Sequence, residues 1–330
     1  MTDYTITPWP DKSFFSGDLP FPEKAAAQPH VIEMSEKDYH RVQAFSSGYL
    51  KTLLSGTPHH AVMPKVFSDT TQKNVNIGVA FECLAEHAFN IPLKEAQEEL
   101  NKNKLHNSMP FQERCVIKPA DLNKGEGARA RAAEFRKKNA GKTIISNEQL
   151  LQATGMIRAA LENRGWLRQL RGDWQKCIFW VEEGLPFKAM LDHAWHIENQ
   201  WTCIDIKTVG QLHHASPDRF QRKAANDGHD LQAVHYIRGM EKVYKRNSVK
   251  HWLWLAIEQQ YPYASGVYEA GQSFIDTGQA KWEQAVDKIH EFLAATGNKL
   301  EGTAIYSEDP HILESPAFNT YQHNFEVIDG

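Results

Sequence analysis

Three consecutive apolar runs in the middle of the chain constrain the fold more than any other feature. They cover residues 176–182, 186–197 and 200–209, and short turn-like segments separate them. Runs of this length with turn residues between them are typical of β-strands joined by tight connections. We therefore expect a three-stranded meander. Together with the helical segments on both sides of it, the meander predicts an α/β fold with a mixed β-sheet core flanked by α-helices.

Charged side chains lie inside two of these strands. Asp192 belongs to the second run, and Asp205 and Lys207 form an Asp-x-Lys unit in the third. Side chains two positions apart on a strand point to the same face, so Asp205 and Lys207 should project together while Ile204 and Ile206 face a core. Two converging carboxylates repel unless a cation lies between them, and oxygen ligands favour Mg²⁺. A lone Asp-x-Lys unit is more often a solvated face, but the preceding aspartate and the apolar neighbours favour a metal-dependent hydrolytic site.

A helix after the meander carries two further polar residues. Gln232 and Tyr236 are four positions apart and therefore share one helix face, and the helical segment should break near Gly228. We expect both side chains to offer hydrogen bonds beside the Asp-x-Lys unit. The predicted catalytic set is listed here in full: Asp192, Asp205, Lys207, Gln232 and Tyr236.

This order of residues resembles that of the PD-(D/E)XK nucleases, and in particular their RecB-like branch, whose additional helix carries a Gln-x-x-x-Tyr pair. Within that branch the chain is similar to the phage-type exodeoxyribonuclease VIII (RecE-like) nuclease domain, over roughly residues 40–306. The similar segments are the helical stretches 46–61 and 77–90, the basic linker 116–146 and the closing strands 251–271. The resemblance implies a restriction-endonuclease-like fold.

The chain departs from that family in one helix. Where the family usually has a histidine, this sequence has Glu82, with Glu86 one turn later on the same helix face. The resemblance implies that Glu82 is a metal ligand together with Asp192, Asp205 and the main-chain carbonyl of Ile206. An all-oxygen site favours Mg²⁺, with Mn²⁺ as a substitute. The alternative is that both glutamates belong to an ordinary amphipathic surface.

The resemblance implies a metal-dependent exonuclease that hydrolyses phosphodiester bonds at the ends of linear double-stranded DNA. It further implies 5′-to-3′ polarity, a role in phage-type recombination, a single-strand annealing protein as partner and a homo-oligomer. Two alternatives remain open. One is a restriction-like or structure-specific endonuclease, and the other is a catalytically silent DNA-binding module of the same fold.

The charge distribution bears on the DNA partner. A net charge of −4 is unusual for a nucleic-acid-binding protein, but basic residues cluster at 124–142, 219–223 and 241–250. These clusters predict a locally basic channel, although 124–142 is equally well read as a solvated linker. The predicted DNA contacts are Lys188, Thr208 and Arg222, and for Thr208 an ordinary strand threonine is the alternative.

Composition bounds the organisation of the chain. Its 330 residues can form one large domain with additions, which we place as an N-terminal arm or cap at 1–40, an exonuclease-like domain at 41–310 and a C-terminal tail at 311–330. No apolar run approaches the ~20 residues that span a bilayer, and the N-terminus lacks the features of a secretory signal. Four scattered cysteines without a Cys-x-x-Cys unit fit a reducing, cytoplasmic setting.

Overall fold

The structure is a computed structural model that describes residue 10 and residues 12–63, 69–162 and 172–296. Its strands are β1 (His30–Ile32), β2 (Cys115–Ile117), β3 (Thr143–Ile145), β4 (Asp173–Glu182), β5 (Leu185–Ile197), β6 (Gln200–Val209), β7 (Val249–Glu258) and β8 (Ser265–Glu269). Its helices are α1 (Glu23–Ala27), α2 (Glu36–Arg41), α3 (Ser47–Ser55), α4 (Pro58–Val62), α5 (Asp69–Asn90), α6 (Leu93–Asn101), α7 (Met109–Arg114), α8 (Ala128–Lys138), α9 (Asn147–Glu162), α10 (Pro217–Asn226), α11 (His229–Tyr244) and α12 (Gln272–Thr296). The predicted tail at 311–330 lies outside the described residues.

Within the described chain, six strands form one mixed sheet in the order β1-β4-β5-β6-β7-β8, and β2 and β3 form a separate parallel pair. Strands β4, β5 and β6 are consecutive antiparallel neighbours, which confirms the predicted meander. Strand β7 then joins β6 in parallel, because α10 and α11 carry the chain back across the sheet between them. The result is the α/β architecture expected from the sequence.

Alternation along the central strands gives the sheet two apolar faces. On β6, Ile204 and Ile206 pack into the core beneath α5 and α9, as predicted, whereas Cys203 and Val209 pack into the core beneath α3, α11 and α12. Strand β7 alternates in the same way, so helices cover both faces. The site residues of β6 are therefore held in a strand that is fixed from both sides.

Strands β5 and β6 separate part of the way along their length. Their pairing runs from Ile197–Gln200 to His193–Ile204 and ends there, although both strands continue. Beyond that point β5 stays paired with β4, and β6 stays paired with β7. We call this divergence the fork, defined by residues 185–192 of β5 and 205–209 of β6. The fork leaves backbone groups of β6 available to side chains instead of to a neighbouring strand.

The segment predicted as an N-terminal arm or cap adds to the sheet edge. His30–Ile32 pairs antiparallel with residues 177–179 of β4, and α2 follows directly. Tyr39 and Val42, from α2 and the residue after it, pack with Phe179 in a small core of their own. No helix among the described residues combines the length and the apolar character that a membrane crossing requires.

Candidate active site at the fork

Asp192 occupies the mouth of the fork. Its Oδ2 accepts a hydrogen bond of 2.7 Å from the backbone N–H of Ile206, a group that would pair with β5 if the two strands stayed together. The carboxylate thus replaces a strand partner, and the bond ties its position to β6. This contact follows from the divergence of the strands, which strand periodicity alone does not predict.

Asp205 lies on the face of β6 that α11 covers, and it is only 1% exposed. Lys207 places its Nζ 2.6 Å from Oδ2 of Asp205, as the two-residue spacing predicts. Gln232 of α11 donates from Nε2 to Oδ1 at 2.9 Å. The structure therefore brings Asp205, Lys207 and Gln232 into direct contact, with a hydrogen bond at Oδ1 of the buried carboxylate and an ion pair at Oδ2.

Tyr236 follows Gln232 by one helical turn and is 9% exposed. Burial, with the negative charges of Asp205 and Asp192, raises the pKa of its hydroxyl to about 12. The phenol therefore stays protonated at neutral pH and can donate a hydrogen bond. The predicted helix face is thus turned towards both aspartates.

The charge balance at the fork is uneven. Burial raises the pKa of Asp192 well above its ordinary value, and the charges of Asp205 and Glu82 raise it further against the opposing effect of Lys207. Burial alone would lower the pKa of Lys207, but Asp205 and Asp192 raise it above its usual range. Lys207 is consequently a permanent cation at neutral pH, suited to positioning a nucleophile or a phosphate and unsuited to removing a proton.

Glu82 approaches the fork from α5 but is held by a residue that sequence reasoning missed. Arg114, at the end of α7, lies 3.2 Å from Glu82 and 2.9 Å from Glu36 of α2. Burial raises the pKa of Glu82, which Arg114 offsets in part and Glu36 reinforces. Arg114 is 32 residues from Glu82 and lies in no recognisable motif, so nothing in the sequence signals this contact.

The other polar residues of that part of α5 differ from Glu82. Burial raises the pKa of Glu86, with Arg114 opposing the shift, but Glu86 is not among the main causes of the raised pKa of Asp192. His87 turns towards α6, where its Nε2 lies 2.8 Å from Glu99. Glu82 is therefore the residue of this turn whose charge reaches the fork.

The donor chemistry at the fork fits a hard divalent cation. Mg²⁺ commonly binds through one or two carboxylates, several waters and the phosphates of a substrate. Among the described residues no group of three His, Cys, Asp or Glu side chains converges on one point, so a complete protein cage is not formed there. The raised pKa of Asp192 shows buried negative charge that Lys207 offsets only in part. Asp192 and Asp205 are the residues that fit as ligands, whereas Glu82 is paired with Arg114, and Ile206 presents its N–H to Asp192.

One of the three predicted DNA contacts is wrong. Lys188 is 6% exposed, and its ammonium donates to the backbone carbonyls of Tyr39, His40 and Val42 at 3.0, 3.3 and 2.7 Å. It caps the C-terminal end of α2 and cannot reach a phosphate, because the carbonyls and burial enclose it. Burial lowers the pKa of Lys188 to about 8.

The two remaining DNA contacts stay predictions. Thr208 accepts a hydrogen bond of 3.0 Å from Nε2 of Gln259, and a Cβ on Gly78 of α5 would come within 2.9 Å of its hydroxyl, so it is packed against α5. This environment favours the ordinary strand threonine. Arg222 is exposed on α10.

Comparisons with known proteins show which family the chain belongs to. No curated protein matches the chain. Among solved structures, a protein from Eubacterium rectale that is provisionally named an exonuclease aligns with a TM-score of 0.49 and 11% sequence identity, covering 86% of this chain and 96% of that one. The family described as "PDDEXK-like domain of unknown function (DUF3799)" matches residues 106–299, which is more than half of the chain and includes the whole fork. The chain therefore belongs to this PDDEXK-like family.

Proposed function

We propose that the protein is a metal-dependent nuclease that hydrolyses phosphodiester bonds of DNA at the fork. The observation that carries the proposal is the contact of Lys207 and Gln232 with the buried carboxylate of Asp205, with Asp192 held beside it by the N–H of Ile206. Membership of the PDDEXK-like family also supports a nuclease. A divalent cation bound by Asp192 and Asp205 would supply Lewis-acid stabilisation of the charge that develops on the phosphate oxygens.

The residues of the fork have distinct tasks in this proposal. Lys207, charged throughout, orients the water nucleophile or a phosphate oxygen by hydrogen bonding. Gln232 fixes one oxygen of Asp205 and thereby the direction in which the other oxygen points. Tyr236 remains protonated and donates a hydrogen bond towards the bound strand. Glu82 adds a third carboxylate charge from α5, and the main-chain carbonyl of Ile206 is a further proposed ligand.

The finer assignment is an exodeoxyribonuclease of the RecE-like type. Its support is the order of similar segments across residues 40–306, in which the helix bearing Glu82 precedes the meander and the Gln-x-x-x-Tyr helix follows it. This assignment carries with it 5′-to-3′ degradation of linear duplex DNA in phage-type recombination, an annealing-protein partner and a homo-oligomer.

A cleavage assay with two DNA topologies tests the proposal. Linear duplex labelled at its 5′ or its 3′ ends and covalently closed circular DNA are incubated with Mg²⁺ and, separately, with EDTA. The expected result is early release of the 5′ label as short products, late loss of the 3′ label, an intact circle and no reaction in EDTA. Nicking of the circle would identify the endonuclease alternative, and binding of duplex without any cleavage would identify the silent module.

A further inference from the structure

Helix α5 lies against strand β6 one turn before Glu82. A Cβ on Gly78 would come within 2.9 Å of the Thr208 hydroxyl, so the helix backbone meets β6 beside the fork. Glu82 follows Gly78 by four residues and shares its helix face, about 6 Å along the axis. After burial and the charge of Asp205, the charge of Glu82 is the next cause of the raised pKa of Asp192. A cation bound at the fork would therefore be stabilised by the negative charge that Glu82 presents.

One guanidinium serves both Glu82 and a second carboxylate, that of Glu36 on α2. Arg114 donates from Nε and Nη2 to Oε2 of Glu36 at 3.1 and 2.9 Å. Its Nη2 also donates to Oε2 of Glu82, at 3.2 Å. Glu36 thus receives two hydrogen bonds, and Glu82 receives one, which is the longest of the three. The positive charge of Arg114 is therefore divided, with the larger share at Glu36.

Glu36 and Arg114 are both charged at neutral pH. Hydrogen bonding to His40 and the charge of Arg114 lower the pKa of Glu36 to about 2, against the effect of burial. Burial alone would lower the pKa of Arg114, but the nearby acidic groups of Cys83, Glu82 and Glu36 raise it. Their contact is consequently an ion pair at neutral pH, and a substitution is the direct way to alter how Arg114 is shared.

The division of Arg114 governs how much charge Glu82 presents to the fork. Opposite charges in contact cancel much of each other's effect at a distance, most of all where solvent screens them little. The side chains of Arg114 and Glu82 are 15% and 26% exposed, so solvent screens their contact only in part. A Glu82 carboxylate that shares the guanidinium with Glu36 keeps more of its charge than one that holds the guanidinium alone.

We infer that Glu36 raises the affinity of the fork for a divalent cation by drawing Arg114 away from Glu82. The Glu82 carboxylate then keeps negative charge that favours an ion bound by Asp192 and Asp205. Glu36 acts through other side chains and is therefore a positioning residue, which gives α2 and the N-terminal segment a task at the site. The inference rests on the proposed function for the presence of the ion.

A purely structural role of this cluster gives a different expectation. Arg114 joins α2 and α5 to the end of α7, so holding the three helices together is its competing task. In that case Glu36→Gln and Arg114→Met should both lower the melting temperature and leave metal affinity unchanged. If Glu36 tunes the site, the two substitutions should change metal affinity in opposite directions, whatever they do to stability.

The experiment titrates Mn²⁺ into the full chain without DNA and follows the free ion by electron paramagnetic resonance, with thermal melting in EDTA measured in parallel. Glu36→Gln leaves Arg114 to Glu82, so the dissociation constant for Mn²⁺ should rise about fivefold, the lower end of the range for coupled sites. Arg114→Met frees Glu82 and should lower the dissociation constant about fivefold by the same coupling.

Two further variants separate this coupling from a general effect of charge. Asp38→Asn removes the same unit charge from α2 two residues away, where Asp38 pairs with Arg41 at 3.4 Å. It should leave the dissociation constant for Mn²⁺ within about twofold of wild type, because solvent screens exposed charges. In a Glu82→Gln background, Glu36→Gln should likewise change the constant by no more than about twofold, since the coupling passes through Glu82.

Three results would overturn the inference: an unchanged dissociation constant for folded Glu36→Gln, an equal rise for Asp38→Asn, or a rise that persists in the Glu82→Gln background. If Arg114→Met does not fold, the Glu36→Gln series still decides. Failure of the proposed function shows differently. Wild-type protein that binds no Mn²⁺ would contradict the proposed function and the inference together, whereas the three results above leave the proposed function standing.

Discussion

At the scale of single residues, Asp192 carries a negative charge that the fold offsets only in part. Its pKa is raised by burial, by Asp205 and by Glu82. A carboxyl with a raised folded-state pKa contributes stability that is present below its unfolded pKa and lost as pH rises through the folded value. Without a divalent cation, Asp192 therefore destabilises the protein at neutral and alkaline pH.

Asp192→Asn should reverse that loss. The amide oxygen can still accept from the N–H of Ile206, but it carries no charge. In EDTA at pH 8 we expect the variant to be more stable than wild type by on the order of 1–2 kcal/mol, with the difference vanishing near pH 4. Thermal melting across this pH range checks it. In millimolar Mn²⁺ the order should invert, because only wild type gains stability from the bound ion. A variant less stable than wild type in EDTA at pH 8 would contradict this account of the charge.

The residues of the fork differ in whether their contacts follow from local sequence spacing or from tertiary packing. Strand periodicity places Asp205 beside Lys207, and helix periodicity places Gln232 beside Tyr236, so local spacing sufficed for these pairs. Arg114 was missed because it meets Glu82 through the packing of α7 on α5, which local spacing does not show.

At the scale of elements, α5 carries Glu82, which is the candidate for a third carboxylate at the site. Glu82 raises the pKa of Asp192, whereas Glu86, one turn away, is not among the main causes of that shift. Glu82→Ala should raise the Mg²⁺ concentration for half-maximal cleavage by about tenfold, and Glu86→Ala should leave it within about twofold. Mg²⁺ titrations of the two variants provide the comparison. A shift confined to Glu86→Ala would place the helix register one turn away from the proposal.

Helix boundaries were only partly predictable from the sequence pattern. The break between α10 and α11 at Gly228 was predicted, since a glycine in the left-handed conformation suits a helix junction. The start of α5 lies eight residues earlier than its pattern indicated, at Asp69. The residues before 77 are mostly polar and lack the apolar periodicity that marks a helix in sequence.

At the scale of the whole molecule, Lys188 joins the N-terminal segment to the sheet. Its three bonds to carbonyls at the C-terminal end of α2 fix that segment over β5. Lys188→Met should lower the free energy of unfolding by on the order of 2–4 kcal/mol, because it removes three hydrogen bonds from a buried ammonium group, although the carbonyls of Tyr39 and Val42 each keep a backbone donor. DNA affinity and its salt dependence should not change. Chemical denaturation and salt-dependent binding measure the two effects.

Arg222 provides the comparison for Lys188, because both were predicted to contact DNA. It is exposed on α10 and remains a predicted phosphate contact. Arg222→Ala should leave unfolding unchanged and reduce the slope of binding against salt by about one. Loss of DNA affinity in Lys188→Met at temperatures where it is fully folded would contradict the structural role of Lys188.

The sheet order was only partly predictable at this scale. The meander follows from adjacent apolar runs, but the edge strand at His30–Ile32 is short and pairs with a strand some 150 residues later. The fork likewise involves a long-range contact, because residues 186–188 of β5 bond to Phe45 where the pairing with β6 has ended. Sequence patterns fix which residues a strand exposes, and long-range pairing fixes where two strands part.

The most direct test of the central claim is the turnover of end-labelled linear duplex by Asp205→Asn in Mg²⁺. The substitution keeps the side-chain shape and removes the charge that Lys207 and a bound cation require. We predict a loss of at least about a thousandfold, with a melting temperature within a few degrees of wild type, while Asp276→Asn on the exposed face of α12 retains full activity. Near-normal turnover by a folded Asp205→Asn protein would contradict the claim that the fork is the site of hydrolysis.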